Sequence, residues 1–121
     1  MEVPTYMTAA EFRKLALALR GAEEKQHMNH PDFRVGGKIF ATMGYPDKNW
    51  AMVRLVPGQQ EQFVDAEPEI YSPVKGKWGL QGATSVLLKN ATKTSAKRAL
   101  TAAWENQIAG QAASKKSLRA R

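Results

Sequence analysis

Two adjacent glycines constrain this chain more than any other feature. Gly36-Gly37 stands between Phe33-Arg34-Val35 and Lys38-Ile39-Phe40-Ala41-Thr42-Met43. A two-residue reversal needs backbone at positive φ, a region glycine enters without the clash that a Cβ creates. The flanking runs carry the aromatic and β-branched residues that suit strands, so the segment reads as a β-hairpin. The hairpin pairs its own two strands antiparallel, and the short connections along the rest of the chain favour an antiparallel sheet.

The remaining elements follow from period and punctuation. Thr8-Ala9-Ala10-Glu11 has the form of a capping box, in which hydroxyl and carboxylate each satisfy an otherwise unpaired backbone N–H. Behind it Phe12, Leu15, Ala16 and Leu19 recur at helical spacing up to Gly21, a natural C-terminal stop. Gln26 to His30 reads as a short edge strand ended by Pro31, and Gly44 to Asn49 as a loop. From Trp50 to Val56 the pattern alternates, placing Ala51, Val53 and Leu55 on one face of a further strand. Gly58 to Glu67 reads as a second helix, Ile70-Tyr71 as extended, Pro73 to Gly82 as a glycine-rich loop and Ala83 to Lys89 as a strand. A final helix, capped at Asn90, Thr92 or Thr94, carries Ala96, Leu100, Ala103, Trp104 and Ile108 on one face as far as Gly110. The expected architecture is α+β: a two-layer sandwich of an antiparallel sheet with helices packed on one face.

Length and composition fit one domain. A chain of 121 residues with 43% hydrophobic and 24% charged residues has enough apolar material for a single core. Cysteine is absent, which removes disulfides and thiolate metal sites from consideration. The N-terminal residues lack the basic-then-apolar order of a secretory signal, and no run approaches the length of a membrane span, so a cytoplasmic location is expected.

The charge is +7, and its distribution matters more than its size. Residues 111–121 contain Lys115, Lys116, Arg119 and Arg121 with no acid, leaving a net +3 for residues 1–110. The domain is therefore expected over residues 1–110, followed by a basic, flexible tail over 111–121.

The stretch His30-Pro31-x-Phe33-x-Val35-Gly36-Gly37-Lys38-Ile39-Phe40-Ala41 resembles the signature of the MmcQ/YjbR family, which pairs such a hairpin with a later Lys-Trp segment. Lys77-Trp78 stands in that later place, before the strand Ser85-Val86-Leu87-Leu88 and a final helix. The resemblance covers residues 8–109 and implies a fold similar to frataxin-like and secretion-chaperone-like domains. It also implies DNA binding, the property and the "double-wing" description usually attached to the family. Gly79-Leu80-Gln81-Gly82 and the basic tail depart from the family pattern.

Catalytic chemistry finds little support. His27 and His30 would face opposite sides of a single strand, so a metal site there is disfavoured against a pair of surface histidines. The pairs Glu23-Glu24 and Glu67/Glu69 have no positioned partner for acid–base work. Gly36-Gly37-Lys38 joins two strands, whereas a phosphate-binding loop joins a strand to a helix. No enzymatic activity and no cofactor are expected.

Basic groups near loops point instead to nucleic acid. Arg34 and Lys38 flank the hairpin turn, Lys75, Lys77 and Trp78 share the glycine-rich loop, and Lys93 and Lys97 with Arg98 open the last helix. Lysine and arginine neutralise phosphates, and an exposed aromatic stacks on a base. For Trp78 burial in the core is the favoured reading over such stacking, and Trp104 is expected in the core. With Lys115, Lys116, Arg119 and Arg121 of the tail, these residues form the candidate contacts for DNA bound mainly through its backbone. The alternative is a non-enzymatic, chaperone-like adaptor that binds a protein partner.

Overall fold

The computed structural model describes residues 7–44 and 47–119, the side chains of 111–119 excepted. Helix α1 (Ala9–Leu17) is followed by strands β1 (Ala22–His27), β2 (His30–Val35), β3 (Lys38–Met43) and β4 (Trp50–Arg54). Helix α2 (Pro57–Ala66), strand β5 (Tyr71–Pro73), the short helix α3 (Lys77–Leu80), strand β6 (Ala83–Leu87) and helix α4 (Lys93–Arg119) complete the order. The six strands form one antiparallel sheet in the order β1-β2-β3-β4-β6-β5. The fold is α+β, as the hairpin and the helical periods imply.

Local chemistry sets the boundaries. Thr8 caps α1 through its Oγ1, which accepts from Glu11 N at 3.1 Å, while Glu11 Oε1 accepts from Thr8 N at 3.1 Å. Thr92, one of three expected caps, starts α4 by accepting from Ser95 N at 3.2 Å. Gly36 and Gly37 stand at φ of 57° and 80° between β2 and β3, the conformation their sequence demanded.

A second hairpin precedes the first. Met28 and Asn29, at φ of 48° and 66°, turn β1 into β2. The expected edge strand from Gln26 to His30 is therefore two strands, because a tight turn was built without glycine. His27 and His30 become cross-strand partners on one face, which corrects the expectation that they point apart. Pro31 lies inside β2 and does not end it. Its nitrogen points away from β1 in this register, and the β2–β3 ladder begins only at Asp32 and Thr42, so no ladder bond is lost.

The core lies between the sheet and α1 and α4. Phe12 and Ala16 of α1, Phe33 and Val35 of β2, Val53 of β4 and Val86 of β6 are buried with Ala96, Ala99, Leu100 and Ala103 of α4. The alanines of α4 let it approach the sheet closely, and Phe12 meets Phe33 edge-to-face at 6.2 Å. A bulge shifts the β2–β3 register between Phe33 and Arg34, where Phe40 and Ala41, adjacent in sequence, are both buried. Gly110 does not end α4. The helical backbone continues to Arg119 through residues that include the good helix formers Ala112, Ala113, Lys115 and Lys116, whereas a frayed tail was expected. Among the described residues no helix is long and apolar enough to cross a membrane.

A candidate nucleic-acid interface on the uncovered sheet face

Alternation sorts the sheet residues onto two faces. The buried set packs under the helices, and the other set remains accessible on the opposite face. One row of that second face runs unbroken across all six strands: Lys25, Asp32, Thr42, Met52, Ser85 and Ser72. Trp50 and Arg54 of β4 flank Met52 on the same face, and all three are partly exposed.

Asp32 is the exception, fully buried on this face because its neighbours close over it. Arg34 grips it in a two-pronged contact, Nε to Oδ1 at 2.7 Å and Nη2 to Oδ2 at 3.1 Å. His27 Nδ1 donates to Oδ2 at 2.7 Å. The Arg34 hydrogen bonds, aided by His27, hold the Asp32 carboxyl below the usual aspartate range, against the opposing effect of burial. The same pairing pushes the Arg34 guanidinium upward. Arg34 thus brings an almost neutral ion pair to the face, and its remaining N–H groups are what it has for a ligand.

The rim beyond β4 and β6 is different. The guanidinium of Arg54 lies over the Trp78 ring, 5.0 Å from its centroid, a cation–π contact. Trp78 is 57% exposed, which corrects the expectation that it belongs to the core. The expected loop from Pro73 to Gly82 contains helix α3, which lifts the indole out of the sheet layer. Lys75 and Lys77 are exposed beside it. Among the described residues no carboxylate pairs with Arg54, Lys75 or Lys77.

The other expected contacts do not gather here. Lys38 is paired with Val35, which faces the core, so Arg34 and Lys38 flank one turn but leave the sheet on opposite sides. Lys93 pairs with Glu11 at 3.1 Å, tying the start of α4 to α1. Lys97 and Arg98 line a shallow groove of about 380 Å³ between α2 and α4, where Arg98 lies over Phe63. All three belong to the helical layer. The side chains of Lys115, Lys116 and Arg119, and the whole of Arg121, lie outside the described residues. Trp104 is partly buried against the core, with Nε1 donating to Arg20 O at 2.8 Å.

Residue-by-residue reading missed Lys25, His27, Trp50, Met52 and Arg54. The alternation in β4 that places Ala51, Val53 and Leu55 on one face also places Trp50, Met52 and Arg54 on the other. A second signal was available in the charge pattern. Residues 70–104 contain six basic residues and no acidic one. Among the described residues no cluster of three or more histidines, aspartates or glutamates is arranged to hold a metal ion.

One helical layer, one six-stranded antiparallel sheet and an accessible sheet face with a cationic, aromatic rim define a small α+β domain. The chain belongs to the YjbR family, whose model matches residues 17–106. Its fold is similar to that of Deinococcus radiodurans protein DR2400, a crystal structure with the domain called DUF419. That likeness has a TM-score of 0.67 at 15% identity, over 84% of this chain and 80% of the other. Among curated proteins no sequence matches this one.

Proposed function

We propose that this YjbR-family protein is a non-enzymatic DNA-binding module that contacts the phosphate backbone with its uncovered sheet face and the rim beside it. The observation that carries this reading is the exposed Arg54–Trp78 pair next to Lys75 and Lys77. A guanidinium without a carboxylate partner keeps its donors for phosphate oxygens, and the open sheet row offers a broad surface on which a polyanion can lie. Lys25, His27 and the outward N–H groups of Arg34 extend that surface toward β1. The +7 net charge adds a long-range attraction that speeds encounter with DNA.

Fluorescence anisotropy of a labelled duplex across a salt series tests the proposal. Each neutralised phosphate contributes about −0.9 to the slope of log K against log salt, so a handful of contacts gives a slope of roughly −2 to −4. Affinity indifferent to salt would rule out backbone binding.

A protein-interaction adaptor is the second reading, favoured by Leu80, which is 81% exposed beside Trp78. It predicts that a nuclease-treated lysate still yields a specific partner protein, and that Leu80→Asp abolishes its retention.

A further inference from the structure

Trp78 has three properties that exposure alone does not supply. The first is a fixed mount. Gly79 packs so closely on Val74 that a Cβ there would fall 1.6 Å from the Val74 carbonyl oxygen. Gln60 Nε2 from α2 donates to both Gly79 O at 3.0 Å and Ala83 O at 2.9 Å, fastening α3 to α2 and β6. The second is a covered back, since Arg54 lies over one side of the indole while more than half of the residue remains accessible. The third is its electrostatic setting, with Lys75 and Lys77 on the same short segment and no acidic residue from 70 to 104.

A rigid aromatic with a cation behind it and cations beside it fits one ligand chemistry in particular: a flat base attached to a phosphate. In duplex DNA the base faces are occupied by their neighbours, and reaching one requires unstacking. In a single strand they are available, and stacking on an aromatic side chain adds to the phosphate contacts. We infer that Trp78 is a stacking platform for an unpaired base, so that this protein prefers single-stranded to duplex DNA. The inference rests on the DNA-binding reading above and specifies its substrate. Arg54 keeps the indole in place and contacts the phosphate next to the stacked base, and the open sheet row carries the strand onward.

The test compares one labelled oligonucleotide, single-stranded and annealed to its complement, for the full chain and its Trp78→Ala and Trp78→Phe variants. Trp78→Ala is expected to weaken single-strand binding about tenfold, the scale of one lost base stack, and duplex binding by no more than a small fraction of that. Trp78→Phe, which keeps a ring, should retain most of the preference. Thermal melts of the variants confirm that the surface substitutions leave the fold intact. Equal loss on both ligands, no loss on either, or equal affinity of the unaltered protein for both would overturn the inference while leaving DNA binding in place. Binding to neither ligand at low salt would overturn both readings together.

Discussion

Asp32 shows how one side chain organises a surface without touching a ligand. It is a buried carboxylate on the otherwise accessible sheet face, and Arg34 and His27 stay in register because they share it. Replacing it by asparagine removes the charge that both partners serve. Because both partners are partly exposed, water repays some of the loss, and Asp32→Asn is expected to cost about 1–2 kcal/mol in urea unfolding at neutral pH. The pH dependence has a definite sign. The folded-state value lies below the ordinary aspartate value of 3.8, so on acidification the unfolded chain takes up the proton first. The stabilisation is present above that ordinary value and is lost as pH falls through the folded one. As pH falls through and below the ordinary aspartate value, the unaltered protein should lose stability more steeply than Asp32→Asn. Glu11, also shifted downward by the Thr8 backbone N–H and Lys93, supplies acid sensitivity common to both proteins.

At the scale of elements, the two hairpins solve one geometric problem with different residues. Gly36-Gly37 meets the positive-φ requirement at no steric cost, whereas Met28 meets it at φ 48° with a Cβ against the backbone. Met28 is 85% exposed, so packing does not offset that strain. Met28→Asn, which suits the left-handed region, is therefore expected to raise stability by about 0.5–1 kcal/mol and the melting temperature by a few degrees. An unchanged or lower melting temperature would mean that Met28 makes a compensating contact. The turn also positions His27 and His30 across from each other at the end of the open face, so its shape bears on the binding surface.

Across the whole molecule, cations fall into two populations. Those of the helical layer include Lys93, paired with Glu11, and Arg13, paired with Glu24 at 2.8 Å. Those of the open face and its rim include Arg54, Lys75 and Lys77, with no carboxylate partner among the described residues. If DNA lies on the open face, equal changes in net charge on the two sides have unequal effects. Arg54→Ala should flatten the salt slope by about one unit and weaken binding, while Lys97→Ala should change both only slightly. Equal effects from both variants would indicate a diffuse attraction with no preferred face.

The sequence by itself determined the features governed by a few neighbouring residues. Glycine pairs permit a tight reversal, a Thr8/Glu11 box starts a helix, and alternation in β4 separates a core face from an outer one. These acts are local, and with the hairpin signature they specified an antiparallel α+β domain of the YjbR family. Tertiary structure decided what depends on distant segments meeting. Trp78 is outside because α3 is pinned to α2 and β6 by Gln60, 18 residues earlier in the chain, and no local pattern records that contact. Asp32 is buried because a turn that holds Met28 in the left-handed region folds His27 back over it. Lys38 and Arg34 part company because the strand pleat, set by the sheet register, sends neighbours of one turn to opposite faces. Side-chain burial is a property of the surfaces that come together, and those surfaces exist only once the chain has folded.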